Sequence, residues 1–225
     1  MSDSRSRPGS GSGLPRRSRE TAKSLPRLRK RPVQARAKFT VQAIYDAYVR
    51  IWRRDGLAAL TTRAVAEESG FAIGTLYDYF PNKAALHAGY VRHVMDGLRD
   101  RIRERVIETG QGPWRERLRL LVEITCAADE DAPFFDTDMH YMEPEIAAPR
   151  HHQRSFDALA DAWVEAVAGW SDLDPQPAAD TVRTLAFAVW GAMRYRLLAD
   201  PLSGGGGDWR EEMLGICECT LAPAP

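Results

Sequence analysis

Ser69-Gly70-Phe71 separates two apolar-periodic segments, each too short to hold as an isolated helix. The first covers about residues 62–69, with Thr61 or Thr62 placed to cap it and Val65 and Ala66 turned inward. The second covers about 73–79 and is ended by Pro81-Asn82. Ahead of both, Val41, Ile44, Ala47, Tyr48, Ile51 and Trp52 recur at spacings of three and four until Asp55-Gly56 gives a stop. Three helices in about 45 residues, the last two joined at a glycine that tolerates left-handed backbone angles, have the size of a helix-turn-helix. In such a unit Val65, Ala66, Leu76 and Phe80 pack on Ile44, Ala47 and Ile51, and the opposite face of the third helix enters a DNA major groove.

The rest of the chain is helical in pattern as well. From Lys83 a long amphipathic helix places Leu86, Val91, Val94, Met95, Leu98, Ile102 and Val106 on one stripe. After residues 110–113 the period resumes with Leu118, Leu121, Val122, Thr125 and Cys126. An irregular acidic and aromatic stretch, 129–149, precedes two strong helical segments at about 152–170 and 177–199, and a last helix is expected at about 208–221. No run alternates with a period of two, so the chain reads as all-α. Three parts are expected: a disordered basic arm (1–32), a three-helix helix-turn-helix DNA-binding domain (33–86), and a larger helical regulatory and dimerisation domain (87–225).

Charge is informative only by segment. The total is zero, with 31 Lys+Arg against 31 Asp+Glu, which on its face argues against nucleic acid. Residues 1–38, however, hold twelve basic and two acidic groups, a net of +10, whereas 129–225 hold six basic and eighteen acidic groups, a net of −12. A cationic end on an anionic body points to a polyanion partner, although a solvated tail would show the same composition. An apolar fraction of 44% excludes a wholly disordered chain. No segment suits a spanning helix or a secretory signal, and three cysteines make no disulfide framework, so a cytoplasmic location is expected.

Within the third helix, Ile73, Gly74 and Thr75 lie nearest to base edges. Gly74 permits close backbone approach, Thr75 offers a hydroxyl and a methyl, and Ile73 can meet only a thymine methyl. Tyr77 and Tyr79 carry phenolic donors for phosphate, or else cover a small core. Lys83 adds its charge to the positive end of the next helix. Asp78 repels phosphate unless it faces a cytosine amine or Arg63.

The run Gly74-Thr75-Leu76-Tyr77-Asp78-Tyr79-Phe80-Pro81-Asn82-Lys83, with Leu60-Thr61-Thr62-Arg63-Ala64-Val65-Ala66 before it, resembles the DNA-binding domain of the TetR family of transcriptional regulators. Arg31-Pro32-Val33-Gln34-Ala35-Arg36 is similar to the lead-in of many members, and the detailed match covers roughly residues 33–90. The resemblance implies a homodimer on a palindromic operator. It places Thr62, Tyr77 and Lys83 on phosphates, and Arg63, Ile73, Gly74, Thr75 and Tyr79 at or near bases. It also implies a dimer interface built from 152–170 and 177–199, with Phe156, Trp163, Phe187 and Trp190 as candidates. The wide apolar arc of residues 182–198 fits such an interface, or else belongs to the chain's own core.

Family ligand pockets lie in the regulatory domain, where the candidates are Phe134, Phe135, Met139, Tyr141, Met142, Trp163, Trp190 and Met193. Plain core is the other reading of each. The expected activity is ligand-responsive repression relieved by a small apolar or aromatic molecule. The alternative is a helix-turn-helix protein that acts through protein contacts without an inducer. No cofactor, metal or catalytic centre is expected: His140, His151 and His152 stand near acidic residues without a ligand spacing of mechanical meaning, and Cys217-x-Cys219 is too short for a zinc site.

Overall fold

The computed structural model describes residues 35–126, 134–136, 138–139, 149–199 and 209–222, and every described element is helical. The basic arm, Tyr141 and Met142 lie outside the described residues. In order, the helices are α1 (Ala35–Ala59), α2 (Thr62–Ser69), α3 (Ile73–Tyr79), α4 (Lys83–Ile102), α5 (Trp114–Thr125), α6 (Pro149–Ala168), α7 (Ala179–Ala199) and α8 (Trp209–Leu221). A π-helical stretch, Arg103–Glu108, prolongs α4. The expected stop in α1 is a break at Gly56, where φ is 74°.

Local signals set the short helices. Thr61 Oγ1 accepts the Ala64 amide at 3.0 Å and caps α2. Gly70 ends α2 in the left-handed region, its amide donating to the Glu67 carbonyl while that of Phe71 donates to Ala66. These two bonds form a Schellman motif. Asn82 Oδ1 accepts the Ala85 amide at 2.8 Å and starts α4. Outside this frame Glu68 of α2 holds Arg50 Nε at 2.8 Å and Arg54 Nη1 at 3.2 Å, both from α1. The two guanidiniums, Arg50 first, lower the Glu68 carboxyl below the ordinary range. Exposed pairs contribute little energy, so their effect is to fix direction between two helices already held by packing.

Two buried clusters form. The first joins Ile44, Ala47, Tyr48 and Ile51 to Val65, Leu76, Phe80 and Leu86, as their spacing predicts. The second gathers Leu98, Ile102, Leu118, Leu121, Trp163, Val167, Trp170 and Val189 in the body. There α6 lies against α4 and α7, and α8 closes over α5 and α7. Both clusters include side chains of α4: those up to Val94 enter the first, and those from Met95 onward enter the second.

His87 of α4 is buried at 1% exposure within the first cluster. Its Nδ1 shares a short hydrogen bond with the Tyr48 hydroxyl, and Trp52 stacks on its ring at 5.7 Å. Its Nε2 finds no partner among the described residues. Burial first, then Lys83, pushes the imidazole down to about 4, against a smaller upward pull from Asp136. The folded state therefore holds a neutral ring while the unfolded chain takes up a proton near pH 6.5. Above that pH the ring costs nothing, and stability is lost as pH falls from 6.5 toward 4. Urea unfolding across that interval is expected to show a loss of about 3 kcal/mol that is absent from a His87→Phe variant. An equal pH slope in both proteins contradicts it.

Candidate nucleic-acid interface

The outer face of α3 carries Ile73 and Tyr77, each 41% exposed. Large apolar groups on so short a helix are costly to leave in water unless another surface covers them. Tyr77 is steadied from the side, because its hydroxyl lies 3.2 Å from Thr62 Oγ1. These two residues thus stand as a pair across the turn. Arg63 extends into solvent beside them and holds Glu67 at 3.1 Å along α2. At the far edge the Lys83 ammonium, on the first turn of α4, donates to the Leu57 carbonyl at 3.2 Å. One surface therefore presents Thr62, Arg63, Ile73, Gly74, Tyr77 and Lys83, with Thr75 half-buried among them.

Two glycines separate internal from external need. A Cβ on Gly89 would stand 2.8 Å from both Phe80 Cε1 and the Tyr45 hydroxyl, so close packing of α4 on the core requires glycine there. A Cβ on Gly74 would meet nothing within 4 Å. Glycine inside a helix costs roughly 0.5–1 kcal/mol relative to alanine, and nothing within the described fold explains that cost at position 74.

Tyr79 departs from expectation. At 9% exposure it points into the first cluster beside Phe80, with ring centroids 6.4 Å apart, so the ring is mostly core and only its edge reaches solvent. Within α3 residues 76 and 79 lie on the inward side while 73, 74 and 77 face out, and Phe80, past the helix end in extended backbone, turns into the core. The register within α3 was available in the sequence.

The candidates for a ligand pocket do not converge. Phe134, Phe135 and Met139 pack on the helix-turn-helix cluster, whereas Trp163, Trp190 and Met193 belong to the body core. Trp163 is fully buried, its indole N–H donating to Thr125 Oγ1 at 3.0 Å. A side chain with no exposed area in a single chain offers none to a partner, which removes Trp163 from the dimer interface. Trp190, at 6% exposure, is likewise mainly core. Phe187 remains outward at 44% exposure, with Phe156 edge-on to it at 6.1 Å. Among the described residues no group of three His, Cys, Asp or Glu could hold a metal ion, and no helix is long and apolar enough to cross a membrane.

Residues 44–88, the segment that carries this surface, match the family described as bacterial regulatory proteins, tetR family. Those residues form a TetR-type DNA-binding segment. The chain is 32% identical over 88 residues to the HTH-type transcriptional repressor KstR of Rhodococcus jostii (strain RHA1). That alignment covers 39% of this chain and 40% of KstR, so the chain spans about two-fifths of the length of the curated relative it matches. Two solved structures extend the likeness to the body as fold alone. FadR of Thermus thermophilus, a TetR-family repressor solved with lauroyl-CoA, has a TM-score of 0.55 and 24% identity, over 82% of this chain and 98% of that one. The reduced form of E. coli NemR has a TM-score of 0.58 and 12% identity, over 79% and 94%. Gly74→Ala is expected to raise stability by roughly 0.5–1 kcal/mol and Gly89→Ala to lower it by roughly 1–3 kcal/mol, measured by chemical denaturation. A loss at Gly74 would show a packing role there that the geometry does not contain.

Proposed function

We propose that the chain is a DNA-binding transcriptional repressor that acts as a homodimer on a palindromic operator and is released by a small apolar or aromatic molecule. The observation that carries the DNA reading is the outward face of α3, where Gly74 stands open between exposed Ile73 and Tyr77. Residues 33–86 would bind DNA and 87–225 would regulate and dimerise.

The chemistry divides by depth. Gly74 lets the α3 backbone come close to base edges, with the Ile73 side chain against a thymine methyl and the Thr75 hydroxyl as donor or acceptor. The Thr62–Tyr77 hydroxyl pair and Lys83 would grip phosphates on either side, which sets register without reading sequence. Arg63 would reach a base by leaving Glu67, an exposed i,i+4 pair that costs little to break. Phe187, left in water in a single chain, supports a partner across α6 and α7, since a two-fold interface buries the same patch on both copies. Trp, Phe and Met side chains in the body favour an apolar effector.

Selection of bound duplexes from a random pool, followed by footprinting, tests the reading. A protected palindrome is expected, and Tyr77→Ala should weaken binding about 10-fold or more, the effect of removing one charge-assisted hydrogen bond to phosphate together with its ordering. Gly74→Ala should weaken it too while the protein becomes more stable. Unchanged binding by both variants sinks the proposed face.

The basic arm, ten basic against two acidic groups over residues 1–32 and so a net of +8, adds a separate expectation. Removing residues 1–32 should lower affinity and flatten the salt dependence, by close to one unit of log–log slope for each phosphate that the arm neutralises. Preference among duplexes should persist, because that electrostatic attraction carries no sequence information. A deletion that scrambles preference would show that the arm reads bases.

A further inference from the structure

Two lengths of chain connect the helix-turn-helix cluster to the body. One is α4, whose side chains enter both cores. The other is the stretch between α5 and α6, of which residues 134–136 and 138–139 are described. Its described residues lie outside the body core. Met139 is fully buried in the helix-turn-helix cluster, and Phe134 and Phe135 pack against it.

The attachment is directional as well as apolar. From α1, the Trp52 indole N–H donates to Asp136 Oδ2 at 2.6 Å. The other oxygen of the same carboxylate accepts the Met139 amide at 3.0 Å, which closes the segment on itself. From α4, the Tyr90 hydroxyl donates to the Phe134 carbonyl at 2.6 Å. The Arg53 guanidinium of α1 lies 4.3 Å from the centre of the Phe134 ring. One carboxylate thus grips α1 while one carbonyl grips α4, and both bonds are partly shielded from water.

A domain joined through one helix can swing about that helix with little resistance. A second attachment away from its axis removes the swing. We infer that residues 134–136 and 138–139 form a strap that fixes the angle of the helix-turn-helix unit on the body, with Trp52, Tyr90 and Asp136 as its positioning residues. In sequence the strap lies between α5 and α6, which both lie in the body core, so the chain itself ties it to the body. A change in the body therefore reaches α1 and α4 together rather than through α4 alone. The inference rests on the proposed action on a two-part operator, where the angle of each unit decides whether both halves can be engaged.

The double variant Trp52→Phe, Tyr90→Phe removes both hydrogen bonds and keeps an aromatic ring at each position. Asp136→Asn, which changes one partner at the edge of the core, provides a milder cut should the double variant fold poorly. Affinity is measured for the duplex selected by the parent protein and for the same duplex with one half scrambled. The strap predicts about 10-fold weaker binding to the intact duplex, a typical coupling magnitude, and less than about twofold change on the half-scrambled one. Parental affinity on the intact duplex, or an equal loss on both, overturns it.

A second readout needs no DNA. Spin labels at Glu67→Cys on α2 and Asp157→Cys on α6, in a Cys219→Ser background diluted with unlabelled protein, should give a broader distance distribution once the strap is cut. An unbroadened distribution overturns the strap whatever the DNA result. A parent protein that selects no duplex, yet broadens on cutting, overturns the DNA reading and leaves the strap standing.

Discussion

The sharing of α4 between two cores is the constraint on which the remaining architecture depends. Leu86, Tyr90 and Val94 enter the helix-turn-helix cluster, and Leu98, Ile102 and, beyond it in the π-helical stretch, Val106 enter the body. Burying side chains of this size stabilises by roughly 1.5–3 kcal/mol each, so neither core releases its part of the rod cheaply. A straight element anchored at both ends carries displacement along its length without storing it. The wider π-helical turn at Arg103–Glu108 sits where the rod leaves the body for the 110–113 turn, and the Thr109 amide reaches back to the Glu104 carbonyl at 3.0 Å.

Polar contacts around that rod act on direction more than on stability. Glu68 orients α1 against α2, and Asp172 accepts the Trp114 amide at 2.7 Å where α5 begins. Arg119 reaches Glu211 to seat α8. Each is exposed or nearly so and worth little in isolation. Together they choose one arrangement among several that the apolar stripes would allow.

What could be read in advance was local. Thr61, Gly70 and Asn82 set the ends of α2 and the start of α4 through bonds that span three or four residues, so the helix bounds follow from the letters. The inward places of Val65 and Leu76 follow from period alone. The outward set followed as well, except for Tyr79, where a family position outweighed the helical register. The place of Phe134, Phe135 and Met139 was not legible. Their partners, Trp52 and Tyr90, lie 84 and 44 positions away in the bonds that fix them, and no periodicity encodes such a pairing. The body tryptophans failed for a related reason. A stripe that holds Phe156, Trp163 and Trp170 shows that one side is apolar, and not whether this chain or a second one covers it.

Lys83 shows what such local order means for encounter with a polyanion. A lysine free in water samples many rotamers, and binding must forfeit most of them. Here the ammonium is already drawn to the Leu57 carbonyl at 3.2 Å, with two of its three N–H donors left over. A phosphate arriving at the start of α4 can take those donors without displacing the carbonyl. The conformational entropy of that contact is spent during folding, once, rather than at each encounter. If Lys83 grips phosphate as proposed, the side chain that bridges α1 and the start of α4 is a preorganised receptor, and association through it should be governed by diffusion and charge rather than by side-chain search.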